Sequence, residues 1–539
     1  MLVSPRIARI LVISTFSFPI AFAGVVQLPS LVLPASAAAH RDAVEKIFTT
    51  SYAAYKKFAF GHDDLSPLSA GFSDGRNGWG ATIVDSLSTM HIMGLDDLFA
   101  EAVNFSSKID FSVSQTGDTV SVFETTIRYL GGLLSAYELS DNQFPALLQK
   151  AKEVADKMAF VWVGNHDVPY GFIDFSTNSP TISTSNIAEA GTLSLEWSTL
   201  TKHTINQTYS DLAVKSLRHI ANLAAPLPGL AAQGIDPTSG NFVGGYVSWG
   251  GGSDSYFEYL IKYARLSNTD EALFADTWLT AVDSSIKFLL RNSTVGNHLY
   301  LADFDSSRKI RHVSSHLACF HGGNWLYGGR LLNNQTIIDY GLQLVDACWN
   351  TYASTATGIG PEGFAFISSD GNFTGGSAPS TSQIAFNAQH GFYITSSAYI
   401  LRPEVLESNF YAYRVTGDTK YLDRAASAVD SFNKFLSTPN GFAGINNVNS
   451  ASSSKIDDTE SFWFAEVLKY LYLTFDDPKH ISLDEWVFNT EAHPFKAPAP
   501  RLSYGTGTIR PGKPFSPKSG PPLPAVSPNP FIPQTTQPI

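Results

Sequence analysis

Residues 250–264 read GGGSDSYFEYLIKYA. A run of glycines breaks into Asp254, and the apolar residues after it recur at the three- and four-residue intervals of a helix. Asp254 and Glu258 stand four apart and so share one helical face. Around them crowd Tyr256, Phe257, Tyr259, Leu260, Ile261 and Tyr263. An unpaired charge beside that much apolar surface is costly. A helix whose first turn opens on a polar cavity resolves the conflict, and the glycines let the chain turn tightly into it. The plain alternative is helix capping, since acids favour first turns for dipole reasons.

The same helical periodicity runs through most of the middle of the chain, for example in ETTIRYLGGLLSAYEL, PEVLESNFYAYRVT and ESFWFAEVLKYLYLTF. Many of these segments are apolar on more than one face, which requires packing in layers. Acids recur near their starts: Asp85, Glu124, Glu189, Asp254, Glu404 and Glu460, mostly about one helix pair apart. If successive helical hairpins close into a ring, these acids gather at one end. The expected fold is therefore all-α, a barrel of helical hairpins. Minor β-hairpins are expected in loops such as YGFIDF and NHLYLADF.

The chain has 539 residues, 44% hydrophobic and 16% charged, enough for a large core. A net charge of −12 excludes a nucleic-acid binder that works by neutralising phosphates. Aromatics at 13% suit a carbohydrate site as well as a thick core. Residues 1–39 read as targeting sequence and spacer. Arg6 and Arg9 precede an apolar run from Ile10 to Val26, with small residues at Ala21-Phe22-Ala23 and Ala35-Ser36-Ala37. This is a signal-peptide pattern; a signal-anchor is the competing reading, and Pro19 favours cleavage. No other segment is apolar enough to span a bilayer, so no stable span is expected after cleavage. Residues 40–495 form one even stretch. From 496 to 539 proline dominates, and a disordered or polyproline-II tail is expected.

Cys319 and Cys348 are an even pair. In a secreted chain that points to a disulfide, with two buried thiols as the alternative. Five N-x-S/T sequons, at Asn104, Asn206, Asn292, Asn334 and Asn372, agree with a secretory route.

Nine segments, in order, resemble the class I α-1,2-mannosidases of glycoside hydrolase family 47. They are NGWGATIVDSL (77–87), VFETTIRYLGGLLSAY (122–137), AEAGTLSLEW (188–197), GGGSDSYFEYLIK (250–262), HLACF (316–320), GPEGF (360–364), YILRPEVLESNFYAYRVTGD (399–418), ESFWFAEVLKYLYLTF (460–475) and NTEAHPF (489–495). The resemblance implies an (α/α)7 barrel, Ca2+ dependence, inversion at the anomeric carbon, and terminal α-1,2-linked mannose on high-mannose N-glycans as substrate. It favours the Golgi-like and fungal secreted subgroup, acting as a secreted monomer.

By the same resemblance Glu124 is the general acid, Glu404 the general base and Asp254 a third catalytic acid. An inverting glycosidase needs such a pair on opposite sides of the scissile bond. Thr490 would hold Ca2+ through its hydroxyl and carbonyl oxygens, with Glu407, Glu466 and Glu491 holding the ion's waters, a donor set calcium accepts. Phe462 would stack on the terminal sugar, and His316 would belong to the sugar pocket. Arg402 would grip a carboxylate or hydroxyl by forked hydrogen bonds. Arg128, one turn after Glu124, joins the binding residues; an ordinary ion pair between the two is the plain alternative. Glu189, Glu196 and Glu362 would line the cavity for the rest of the glycan. The family's disulfide would fall on Cys319 and Cys348. Two positions depart from the pattern: Ser88 stands where many members have Asp, and Gly252 where endoplasmic-reticulum members have Arg. Glycine there leaves room for several glycan branches. A glycan-binding lectin of the same fold with little turnover is the alternative function.

Overall fold

The computed structural model describes residues 24–516. Its helices close into an (α/α)7 barrel. The inner ring begins with Ala81–Ile92, then Gly131–Leu139, which continues the turn Thr125–Leu130. Ser194–Thr204, Asp254–Ser267, Phe320–Leu331 and Glu404–Thr416 follow, and Leu468–Phe475, continuing Trp463–Val467, completes it. Each of the first six packs against the next long helix of the chain, which lies outside it. The seventh packs against the first helix, Ala37–Phe58, and the turn before it meets Ala81–Ile92, so the chain's two ends close the ring.

The two layers differ as their burial demands. Nearly every residue of Ala81–Ile92 and of Glu404–Thr416 is buried, whereas Lys420–Phe435 buries a single apolar stripe and turns charge outward. Glycines allow close approach where the layers are tightest: a Cβ on Gly328 would lie 2.2 Å from the Trp278 ring.

Small antiparallel sheets decorate the loops, none of them closed. Phe172–Asp174 and Leu299–Leu301 lie in the two loops where hairpins are expected. Three sheets brace the entries to the acid-bearing helices: Val120–Ser121 runs into Glu124, Ser185–Asn186 into Glu189, and Val313–Ser315 into His316. A further hairpin, Trp486–Phe488 paired with Pro494–Lys496, enters the ring and leaves its tip, residues 489–493, almost fully buried at the centre. Cys319 and Cys348 form a disulfide that ties the entry of the fifth inner helix, Phe320–Leu331, to its outer partner, Gln335–Ala353, with Cα atoms 5.9 Å apart.

Both chain ends differ from expectation. The expected spacer is pinned to the body from residue 24 onward. Val26 N–H donates to Asp484 Oδ1 at 2.7 Å, Leu28 N–H to the Arg414 carbonyl at 2.8 Å, and the Gln27 side-chain oxygen accepts from buried Arg414 at 2.8 Å. The segment expected as a free tail from residue 496 is not free over its described part. Residues 497–516 carry no helix or strand, as proline requires, yet they lie along the barrel. Arg501 donates to the Asn268 carbonyl, Thr506 to Asp276 and Arg510 to the Ala221 carbonyl. Arginine and backbone hydrogen bonds, rather than a hydrophobic repeat, hold the segment, and such bonds leave no periodic trace. The expected signal segment up to Ala23, and the tail beyond residue 516, lie outside the described residues. Among the described residues no helix is long and apolar enough to cross a membrane.

A chain begun at Gly24 is expected to melt about 5 °C or more above one begun at Ala37, because the strap supplies several buried hydrogen bonds of roughly 1 kcal/mol each. Calorimetry of the two measures this; equal melting temperatures would show the strap to be passive.

Candidate active site

The acids gather at one mouth of the barrel, as the ring requires. Asp254 and Glu404 are each the first residue of an inner helix, and Glu124 closes the single turn before Thr125–Leu130. The Ser121 hydroxyl caps that turn by accepting from the Glu124 N–H at 3.3 Å. Before Glu404 the chain passes through Leu401, a buried non-glycine residue at φ 71°, a conformation that is strained for leucine and sets the direction of Arg402-Pro403-Glu404. Glu124, Arg128, Glu189, Asp254, Arg402, Glu404, Glu407, Phe462, Glu466, Thr490 and Glu491 all line one cavity of about 300 Å³. Glu258, from the opening stretch, lines it too.

Two turns of the ring wall are π-helical rather than α-helical, Thr125–Leu130 and Trp463–Val467. They carry Arg128 and Glu466 into the cavity wall, a common use of π-turns. The periodic sequence gives no sign of either.

Arg128 is the electrostatic centre. Its Nε donates to Glu124 at 2.8 Å, and its Nη1 to Ser461 at 3.0 Å, to Glu491 and, at 3.4 Å, to Asp85. Burial would raise the Glu124 pKa, but Arg128 and Arg76, the latter 3.5 Å away, outweigh it and hold the carboxyl below its ordinary value. Glu404 is likewise lowered against burial, by a 2.6 Å hydrogen bond from His316 and by Arg402 at 3.8 Å. Asp254 goes the other way. Burial, then the charges of Glu258 and Glu404, push it up to about 7. Glu407, Glu466 and Glu491 are all raised, by burial first; neighbouring acids add to it, and for Glu407 and Glu491 the positive charges of Lys262 and Arg128 do not cancel it. Phe462 sits between two guanidinium groups, 5.6 Å from Arg128 and 5.8 Å from Arg402, which fixes its ring in the cavity.

Three expected cavity residues are not in its lining. His316 is buried and reaches the cavity only through Glu404; its other ring nitrogen lies 2.7 Å from the Tyr352 hydroxyl. Glu362 faces Arg402, at 2.6 Å from its Nε, and accepts from the Ile400 N–H, so it positions the arginine rather than sugar. Glu196 is fully buried, hydrogen-bonded by Tyr259 and Asn489, and pushed up to about 8 by burial. In each case the side chain is taken up by a protein partner, Glu404 and Tyr352 for His316, Arg402 for Glu362, Tyr259 and Asn489 for Glu196, which a linear motif does not distinguish from facing the cavity. Ser88 does reach the site at one remove: its hydroxyl is 2.9 Å from one nitrogen of His493, whose other nitrogen lies 3.2 Å from Asp85, which contacts Arg128. Asp85, Arg76, Ser461 and Lys262 are partners the sequence reading did not assign to the site. All but Asp85, already notable as a helix-start acid, lack a signal.

Thr490 stands at the buried hairpin tip and lines the cavity. Among the described residues no protein group donates to its hydroxyl or carbonyl oxygen, or to the Glu466 carboxylate. Two free hard oxygens beside a cation-poor wall of carboxylates fit a hydrated divalent cation. No group of three or more His, Cys, Asp or Glu side chains that could hold a metal ion is found among the described residues.

The sequence profile of Glycosyl hydrolase family 47 matches residues 47–497. The probable mannosyl-oligosaccharide α-1,2-mannosidase 1B of Aspergillus clavatus is 41% identical over 487 residues, covering 85% of this chain and 93% of that one. The mannosyl-oligosaccharide α-1,2-mannosidase 1B of Aspergillus phoenicis is 40% identical over 477 residues, 84% of this chain and 91% of its own. Among solved structures, the α-1,2-mannosidase from Trichoderma reesei superposes with a TM-score of 0.83 at 38% identity, covering 86% of this chain and 99% of that one.

Replacing His316 with Ala removes the hydrogen bond that helps to lower Glu404, so the Glu404 carboxyl is expected to titrate at higher pH. Carbon-13 NMR of labelled glutamate reads it directly; an unmoved titration would detach His316 from Glu404.

Proposed function

Because the chain belongs to glycosyl hydrolase family 47 and is a mannosyl-oligosaccharide α-1,2-mannosidase, we propose that it trims terminal α-1,2-linked mannose from high-mannose N-glycans by Ca2+-dependent, inverting hydrolysis. The observation that carries this is the pairing of Glu124 and Glu404 in one cavity, on separate helices, each with its own cationic or histidine partner.

Glu404, held ionised by His316 and Arg402, takes the proton of the attacking water. Glu124 gives a proton to the leaving oxygen. Its ion pair with Arg128 keeps it ionised in the free enzyme, so it needs a proton relayed to it. Asp254, pushed up to about 7, is a cavity carboxyl that still carries a proton part of the time at neutral pH. Phe462 offers its face to the apolar side of the terminal ring, and Arg402 presents forked donors to its hydroxyls. Thr490 would hold Ca2+ through its two free oxygens, with Glu407, Glu466 and Glu491 fixing the surrounding waters. Bound there, the ion supplies a hard Lewis acid that orients vicinal sugar hydroxyls.

Gly252 lines the cavity without a side chain, which favours removal of several mannoses rather than one. The disulfide and the sequon asparagines support passage through the secretory route as a secreted monomer. Asn104, Asn206 and Asn372 are exposed; Asn206 and Asn334 cap helices through Oδ1, which leaves Nδ2 to carry a sugar.

On an α-1,2-linked mannose disaccharide, Glu124→Gln and Glu404→Gln are each expected to lower kcat by about 10²- to 10⁴-fold, the range of general acid–base catalysis. Chelation with EDTA should abolish turnover and lower the melting temperature, and readded Ca2+ should restore both. Proton NMR should show β-mannose as the first product; α-mannose first would overturn inversion. Sizing the products of a nine-mannose glycan tests the breadth of trimming, and arrest after a single mannose would count against it. The kcat/KM profile should fall on the alkaline side through about pH 7, as Asp254 loses its proton, and on the acid side as Glu404 gains one. A rate still rising beyond pH 8 would remove Asp254 from the proton path.

A further inference from the structure

Asp63 is fully buried and does not line the active cavity. The inner helix Ala81–Ile92 starts on Gly80, which has no side chain to satisfy the free N–H groups of the first turn. Asp63 satisfies them from another segment. Its Oδ1 accepts from the Gly80 and Ala81 N–H groups, at 3.0 Å each, and its carbonyl oxygen from the Thr82 N–H at 3.1 Å. Its Oδ2 accepts from the Arg76 and Gly78 N–H groups, at 2.7 Å each. Asn77, Gly78 and Gly80 lie at φ 71°, 70° and 79°, left-handed turns that gather N–H groups around one anion. Residues 76–81 are thus wound on a single carboxylate.

The same carboxylate reaches the other side of Glu124. The Tyr129 hydroxyl, on the π-turn Thr125–Leu130, lies 3.0 Å from Asp63 Oδ1 and 2.8 Å from the Arg76 carbonyl oxygen. Arg128 precedes Tyr129 on that turn. Asp63 therefore ties together the two backbone segments that each carry a guanidinium to Glu124. Both guanidinium groups meet one oxygen: Arg128 Nε lies 2.8 Å from Glu124 Oε2, and Arg76 Nε lies 3.5 Å from it. Among the described residues no protein group donates to Oε1, which leaves that oxygen free to carry a proton. Capping the helix start accounts for the contacts to residues 80–82. The contacts to Arg76 and Tyr129 exceed that need, and both lead to Glu124.

We propose that Asp63 is a positioning residue for the hydrolysis: it holds the Arg76 loop and the Arg128 turn in register, so that two guanidinium groups occupy Oε2 of Glu124 and leave Oε1 to the leaving oxygen. The proposal rests on the reading of Glu124 as the general acid.

The test compares wild type with Asp63→Asn, Tyr129→Phe, Arg76→Met and Arg76→Lys. Each is measured for melting temperature, for the Glu124 titration by carbon-13 NMR, and for kcat and KM on an α-1,2-linked mannose disaccharide. The charges that face Glu124 are Arg128, Arg76 and Asp85. Asp63→Asn replaces two acceptor oxygens by one, and Tyr129→Phe keeps the ring while cutting only the hydroxyl link. Asp63→Asn, Tyr129→Phe and Arg76→Met should each move the Glu124 titration to higher pH and lower kcat. For Arg76→Met the fall should be about tenfold, the scale of one lost charged contact. KM should stay within about twofold, because neither Arg76 nor Tyr129 lines the active cavity. Arg76→Lys should recover most of the titration and of kcat. A wild-type Glu124 titration in Tyr129→Phe, or in folded Asp63→Asn, would overturn the proposal and reduce Asp63 to a helix cap, whatever the melting temperature. Tyr129→Phe decides the matter alone should Asp63→Asn fail to fold. Full activity of Glu124→Gln would instead overturn the general-acid reading, and the titrations would stand apart from it.

Discussion

The structure depends on a polar hairpin tip buried inside a ring of helices. Residues 489–493 sit where a helical barrel would otherwise hold a void or a plug of apolar side chains. Apart from the Thr490 oxygens, which face the cavity, their polar groups are shut off from water, and most find a partner on a different part of the ring. Asn489 donates to the Ile127 carbonyl and to Glu196, Glu491 takes a bond from Arg128, His493 bridges Ser88 and Asp85, and Lys469 donates to the Ala492 carbonyl. Leaving any one of these buried groups unpaired costs about 1–3 kcal/mol, so the tip and the inner helices specify each other's position. Gly131 shows how close the fit is, since a Cβ there would come within 2.7 Å of the Asn489 amide.

That constraint also creates the chemistry. The tip brings Thr490 and Glu491 up to the floor of the cavity, against helices that deliver Arg128, Glu404, Glu407 and Glu466. Acids outnumber cations there. Where a cation or hydrogen-bond donor is close, as for Glu124 and Glu404, the carboxyl stays ionised; where none suffices, as for Asp254, burial keeps its proton on to near neutrality. One cavity thereby holds carboxyl groups in different protonation states at one pH, which hydrolysis of a glycosidic bond needs.

The glycine strip at residues 250–252 has two consequences in the same few atoms. It lets the chain enter the Asp254 helix, and by lacking side chains it keeps the wall between the active cavity and its neighbour thin. The strained residue at Leu401 works similarly on the other side, holding Arg402 and Glu404 at an angle that an unstrained helix start would not produce.

The sequence by itself determined the helical layers, because apolar spacing dictates which faces must be covered, and it located Asp254, Glu404 and Glu124 at helix starts. Nine ordered motifs carried the family, and with it the ring and the Cys319–Cys348 bridge. Only the tertiary structure decided which acids face the cavity. His316, Glu362 and Glu196 stand in motifs as telling as that of Glu124, yet each is taken up by a protein partner outside its own motif, because the direction of a side chain depends on neighbours far along the chain. The π-turns that aim Arg128 and Glu466, and the strap and tail that grip the barrel, were equally illegible. They rest on single hydrogen bonds between distant segments, such as Gln27 to Arg414 and Thr506 to Asp276. Such contacts obey no local period, so no window of sequence records them.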